Sequence, residues 1–82
     1  MPPRLKRLSG KDLLGIFKRF SFEVHAQKGS HVKLRRFSVA KEKQTLTIPM
    51  HQELDVGTLR SIFRQASRYI EESQLFPHFY SG

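Results

Sequence analysis

The stretch FEVHAQKGSHVKLRRF, residues 22–37, decides the fold, because apolar and polar residues alternate on both sides of a central glycine. Alternation with a period of two indicates strands that bury one face. Two such runs separated by a short turn predict an antiparallel hairpin. We place the turn at Lys28-Gly29-Ser30, so that one strand precedes it and a second strand begins at His31.

The register of this hairpin follows from parity, since facing residues of an antiparallel pair lie on the same side of the sheet. Matching the apolar positions pairs Val24 with Leu34 and Ala26 with Val32, which directs all four toward the core. The polar positions then face each other on the open side, Glu23 with Arg35, His25 with Lys33 and Gln27 with His31.

Helical patterns lie on both sides of this strand region. Ser9 is a good helix N-cap, and Asp12 stands where a capping box has its acid. The apolar residues that follow recur at helical spacing, at Leu13, Ile16, Phe17 and Phe20. A second helix is predicted to begin after Asp55. Its apolar face is predicted at Leu59, Ile62, Phe63 and Ala66, and its basic stripe at Arg60, Arg64 and Arg68.

A third strand is predicted at TLTIPM, residues 45–50. Pro49 cannot donate a ladder hydrogen bond, which favours an edge position for this strand. The polar link before it, residues 38–44, is predicted to be a mobile loop. Near the end of the chain, Pro77 is expected to stop a short helical turn.

The element order, helix, three strands, helix, predicts the α+β class. Each strand has one apolar face, so we expect a two-layer sandwich in which both helices cover one face of a three-stranded antiparallel sheet. We expect one domain over residues 1–82, with a flexible basic segment at 1–8, a core at 9–72 and a tail at 73–82.

The composition indicates a folded basic protein with a polyanionic partner. The 82 residues contain 15 Lys and Arg against 7 Asp and Glu, a net charge of +8, while 38% are hydrophobic. An excess of positive charge on a folded protein is typical of nucleic-acid binding. An anionic membrane or an acidic protein is a weaker alternative partner. The absence of cysteine and of a long apolar run fits a cytoplasmic protein. The histidine spacing indicates no zinc site, and no motif calls for a cofactor.

The open face of the sheet is where we expect chemistry. His31 follows the glycine turn, where backbone can approach a ligand closely, and an imidazole exchanges protons near neutral pH. RNA cleavage needs a base for the 2′-hydroxyl, an acid for the leaving oxygen and positive charge at the phosphate. The predicted RNA contacts here are Lys28, Gly29, Ser30, Lys33 and Arg35. The pattern leaves two alternatives open, a structural histidine and an ordinary solvated face.

The start of the second helix, DVGTLR at residues 55–60, is a second candidate anion site. Free backbone N–H groups at a helix N-terminus attract phosphate, Gly57 leaves room for it, and Arg60 follows within one turn. Asp55 argues against this site, because a carboxylate that caps the helix repels phosphate.

Three segments, QKGSH at 27–31, TIPMH at 47–51 and ELDVGTLRSIFRQA at 53–66, together resemble the HicA-type (YcfA-like) toxin family. The resemblance implies a fold similar to the double-stranded RNA-binding domain. It also implies a translation-blocking ribonuclease that cleaves mRNA without a metal. The family's catalytic histidine maps onto His31, and a HicB-type antitoxin is expected to cover it and to repress the shared operon.

Three positions depart from the family's usual pattern. Ala26 stands where arginine is common, Val56 where a proline often opens the second helix, and Ser67 where a glycine often ends it. Losing a cation at position 26 would weaken RNA binding if that side chain faced the RNA, whereas the predicted register directs it toward the core.

Two functions without catalysis remain open from the sequence. One is a module that binds double-stranded RNA through backbone contacts. The other is a DNA-contacting accessory subunit. Fragmentation of RNA with time separates the nuclease from the RNA-binding module, whereas salt-sensitive binding is common to both. A neighbouring reading frame for an antitoxin would favour the toxin over the accessory subunit.

Overall fold

The structure, a computed structural model, describes residues 2–82. Its elements are β1 (Arg4–Leu5), α1 (Gly10–Arg19), β2 (Glu23–Lys28), β3 (His31–Phe37), β4 (Lys43–Pro49), α2 (Val56–Ala66), α3 (Glu72–Phe79) and β5 (Tyr80–Ser81). Strands β2, β3 and β4 form an antiparallel sheet in that order, and β1 pairs with β5 in a separate two-stranded ribbon. The predicted α+β class and three-stranded antiparallel sheet are confirmed.

The core lies between the sheet and the helices. Val32 and Leu34 of β3 and Leu46 and Ile48 of β4 are buried, as alternation predicts. Both α1 and α2 contact β4. The helices and the segments beside them supply the remaining large buried side chains, among them Leu13, Phe17, Phe22, Leu59, Leu75 and Phe79.

Both predicted helix starts are confirmed by their capping hydrogen bonds. In α1, the Asp12 backbone N–H donates to Ser9 Oγ, and the Ser9 N–H donates to Asp12 Oδ2, both at 2.9 Å. In α2, the Thr58 N–H donates to Asp55 Oδ2 at 3.1 Å, and the Thr58 hydroxyl donates to Asp55 Oδ1 at 2.6 Å. These bonds satisfy N–H groups that a helix start leaves without partners.

The β2–β3 hairpin departs from the predicted register halfway along β2. The first two predicted pairs are confirmed, Glu23 with Arg35 and Val24 with Leu34. The later pairs are wrong, because the structure has Ala26 with Lys33, Gln27 with Val32 and Lys28 with His31. The register shifts at His25, between Val24 and Ala26. An extra residue at a bulge accounts for the shift.

The turn of this hairpin has two residues, Gly29 and Ser30, rather than the predicted three. Gly29 has a φ of +58°, which a two-residue type II′ turn requires at its first position and glycine adopts without strain. The shorter turn and the bulge compensate each other, so the pairs nearest the start of β2 stay in the predicted register.

The bulge changes which side chains share a face of the sheet. Beyond it, Ala26 and Lys28 lie on the open face with their partners Lys33 and His31. The prediction that Ala26 points into the core is therefore wrong. All six residues of β2 are exposed, and Val24, also predicted to be buried, is 49% exposed.

Strand β4 begins at Lys43 rather than at residue 45 and is an edge strand, as Pro49 predicts. The link before it is a short hydrogen-bonded turn. The Ser38 N–H donates to the Glu42 carbonyl at 2.9 Å, and the Lys41 N–H donates to the Ser38 carbonyl at 2.8 Å. The structure thus has a compact hairpin turn where the sequence predicted a mobile loop.

The two ends of the chain differ from the expected flexible segment at 1–8 and tail at 73–82. Arg4 and Leu5 pair with residues 80–81, and Leu8 is buried in the core. Met1 lies outside the described residues. The expectation that Pro77 stops the last helical turn is also wrong, since α3 continues to Phe79. Proline removes one helical hydrogen bond there, while the buried Phe79 anchors the helix.

Candidate functional site

His31 lies at the end of the sheet where β3 begins between the last residues of β2 and β4. It is the first residue of β3, and it pairs with Lys28 on one side and Pro49 on the other. The Met50 N–H donates to the Ser30 carbonyl at 2.6 Å, which ties the glycine turn to the end of β4. His31 is exposed, so the predicted solvent-accessible histidine at a hairpin turn is confirmed.

A groove of about 370 Å³ connects His31 with the start of α2. Thr47 and Pro49 of β4 line it beside the histidine. The α2 side is formed by Asp55, Gly57, Thr58, Ser61, Ile62 and Gln65. The two candidate sites of the sequence, the turn histidine and the helix start, therefore border one shallow groove.

The two residues predicted to contact phosphate at α2 line different grooves. Gly57 lines the His31 groove, whereas Arg60 lines a different one with Phe63 and Tyr80. Hydrogen bonds from the Thr58 side chain and backbone lower the pKa of Asp55 below its ordinary value. Asp55 is therefore ionised at neutral pH and disfavours a phosphate at this helix start.

The cations predicted on the open face share it with His31. Lys28 and Lys33 are exposed. Arg35 is half-buried, with one guanidinium nitrogen 3.4 Å from His25 Nε2 and its carbon 5.2 Å from the Phe37 ring centroid. The positive charge of Arg35 is the main cause of a lowered pKa at His25. His25 is therefore neutral at neutral pH, in a region of positive potential.

Sequence reasoning missed Thr47, Thr58 and Ser61, which line the groove with His31. The outward position of Thr47 on β4 was a usable signal, since parity places it on the face of His31. No pattern in the sequence indicated Thr58 and Ser61, because the packing of α2 against β4 decides which residues of α2 reach the groove.

Within residues 2–82, no three His, Asp or Glu side chains come together as a set of metal ligands. None of the helices in the described part of the chain is long and apolar enough to span a membrane.

The fold and the groove define a small basic α+β protein with an exposed histidine beside a helix start. A family profile described as the HicA toxin of bacterial toxin–antitoxin systems matches residues 10–67, more than half of the chain. The protein therefore belongs to the HicA toxin family, and this membership implies an antitoxin partner. Comparisons with curated proteins and with solved structures return no match.

Proposed function

We propose that this protein is a metal-independent endoribonuclease toxin that cleaves mRNA and uses His31 to transfer a proton. The observation that carries the proposal is the position of His31, exposed at the hairpin turn and lining the groove with α2. Cations surround this position on the same face, with Lys28 as its neighbour in β2 and Lys33 two residues along β3. The match to the HicA toxin family supports the toxin part of this proposal.

The chemistry needs one proton removed and one delivered. The 2′-oxygen of a ribose attacks the adjacent phosphorus while the bond from phosphorus to the 5′-oxygen breaks. The products are a 2′,3′-cyclic phosphate and a free 5′-hydroxyl. His31 either takes the proton of the 2′-hydroxyl while water protonates the leaving oxygen, or it protonates the leaving oxygen while water accepts the 2′-hydroxyl proton. Lys28 and Lys33 stabilise the negative charge that develops on the phosphate oxygens.

The remaining predicted contacts extend the RNA site along the open face. Gly29 and Ser30 allow the phosphate backbone to approach the turn, and Arg35 adds charge farther along β3. Gly57 lies within the same groove. Arg60 lies outside it, and its proposed RNA contact requires the strand to continue past the α2 start. We place the action of the toxin in the cytoplasm, where mRNA is found.

The antitoxin partner is proposed to be of the HicB type and to cover the His31 groove. This surface is a shallow groove, and it carries the group that an inhibitor must block. The chain has a net charge of +8, so an antitoxin with an acidic surface has complementary electrostatics.

The test compares the parent with His31→Ala on mRNA in the presence of EDTA. We expect the parent to fragment the RNA, leaving cyclic phosphate ends. The alanine variant should be slower by about 10²- to 10⁴-fold, the usual contribution of a general acid or base. His51→Ala is the matched control, since His51 is also exposed but does not line the groove.

Two outcomes would contradict the proposal. Cleavage by His31→Ala at the rate of the parent would remove the catalytic role of this histidine. RNA that stays bound but uncut by the parent would favour the non-catalytic RNA-binding module. Circular dichroism of both variants checks that the fold is intact.

A further inference from the structure

A second cleft lies on the sheet at the end of β3 that is farther from His31. It has a volume of about 280 Å³, and its lining includes Ser21, Glu23, His25, Arg35 and Phe37. None of these five residues lines the His31 groove. Phe37 is 56% exposed in this cleft, although large apolar side chains are normally buried.

The chemistry of the cleft suits a flat aromatic ligand. The Arg35 guanidinium carbon lies 5.2 Å from the Phe37 ring centroid, and more than half of the Phe37 side chain stays open. An exposed aromatic ring beside a guanidinium is a typical stacking platform for nucleobases. His25 adds ring nitrogens without charge, because Arg35, Lys33 and Lys43 lower its pKa.

The register of the sheet aligns this cleft with the cleavage groove. Phe37 lies six residues along β3 from His31, on the same face. At about 3.4 Å per residue the separation is roughly 20 Å. Lys33 and Arg35 lie between the two ends on this face. An extended RNA strand of a few nucleotides covers this path, with its phosphates beside the two cations.

We propose that the cleft binds an unpaired nucleobase stacked on Phe37, so that the RNA is single-stranded between the cleaved phosphate and the cleft. This inference rests on the proposed function, which puts RNA on the open face. A side chain of the antitoxin is the competing occupant. The flanking cations favour RNA, because a stacked base brings phosphates to Lys33 and Arg35 whereas an apolar side chain does not.

The protein contains no tryptophan, so Phe37→Trp introduces a single fluorescent reporter of stacking. We would place it in the His31→Ala background, where RNA stays intact, and titrate with short single-stranded oligouridylate. Stacking should quench the emission. Val39→Trp in the same background is the matched control, since Val39 is fully exposed in the neighbouring turn and does not line the cleft. Its emission should change little.

Affinity measurements on the same background complete the test. Phe37→Ala should weaken oligouridylate binding by about 5- to 150-fold, the usual loss for one base stack, while Phe37→Tyr should bind like the parent. Unchanged emission at Phe37→Trp together with unchanged affinity of Phe37→Ala would overturn the proposal.

Two further outcomes would also overturn the proposal. If duplex RNA quenched the emission of Phe37→Trp as strongly as oligouridylate does, the proposal of a single-stranded substrate would be refuted. If Phe37→Ala binds the antitoxin more weakly but binds RNA with unchanged affinity, the cleft belongs to the interface with the antitoxin. None of these readouts requires cleavage, so an inactive parent protein contradicts the proposed nuclease without affecting this test.

Discussion

At the scale of single residues, Arg36 differs from the other cations of β3 because its side chain is used inside the fold. Its guanidinium donates to Gln44 Oε1 and to the carbonyls of Phe20 and Tyr69, each at 2.6 Å. It also lies 4.7 Å from the Phe22 ring centroid. Burial lowers the pKa of Arg36, but arginine stays protonated at neutral pH. One side chain thus joins α1, β4 and the link before α3.

Arg36→Met should destabilise the fold, because it leaves two half-buried carbonyls without donors. Leaving a buried acceptor without its donor costs about 1–3 kcal/mol, and since the two carbonyls are only half-buried we expect a total loss of about 2–4 kcal/mol in the free energy of unfolding. Urea denaturation measures the change. Lys33→Met is the control, since Lys33 is exposed and its loss should stay within about 0.5 kcal/mol. Equal midpoints for Arg36→Met and the parent would show that the three hydrogen bonds add nothing to stability.

At the scale of secondary-structure elements, the first turn of α1 packs directly on the end of β4. A Cβ at Gly10 would lie 2.8 Å from Met50 Cα and would clash with the Pro49 carbonyl oxygen. The Gly10 N–H donates to the His51 carbonyl at 2.9 Å. This contact holds the end of β4, including the Pro49 that pairs with His31. The position of the proposed catalytic residue therefore depends on a close approach of backbone to backbone.

Gly10→Ala and Gly15→Ala should change stability in opposite directions. Both add a methyl group to α1, but nothing lies within 4 Å of a Cβ at Gly15. We expect Gly10→Ala to cost about 1–3 kcal/mol through overpacking and Gly15→Ala to stabilise by up to about 1 kcal/mol through helix propensity. Thermal unfolding of both variants measures the difference. A Gly10→Ala protein as stable as Gly15→Ala would rule out the close approach.

At the scale of the whole molecule, the fold extends beyond the part that matches the family. The match ends at residue 67, and α3 and β5 follow it. Leu75 and Phe79 of α3 have no exposed surface. The Lys6 N–H donates to the Phe79 carbonyl at 2.7 Å, which ties the beginning of the chain to its end. The C-terminal segment thus completes the core of this protein.

A chain that stops at Glu71 should fail to fold stably. It lacks Leu75 and Phe79, and truncation of one such buried side chain to alanine already costs about 2–5 kcal/mol. Small domains have only about 5–15 kcal/mol of stability in total. Circular dichroism during heating measures the effect, and removal of the exposed Gly82 alone is the control. Cooperative melting of the shortened chain at the temperature of the parent would show that α3 is dispensable.

Local patterns in the sequence determined the secondary structure and the position of His31. The caps at Ser9 and Asp55, the alternation in β3 and the glycine turn each involve residues a few positions apart. Their geometry is set by backbone sterics and nearby hydrogen bonds, which the sequence displays directly. The sequence therefore predicted the fold class, the order of the central elements and the exposure of His31.

Only the tertiary structure decided what surrounds that histidine. The bulge at His25 moved Lys28 to its face of the sheet, and the packing of α2 against β4 formed the groove. Burial of Arg36 and pairing of the chain ends likewise join residues far apart in sequence. The physical reason is that such contacts depend on how whole elements pack, and the free energy of that packing has no local signature in the sequence.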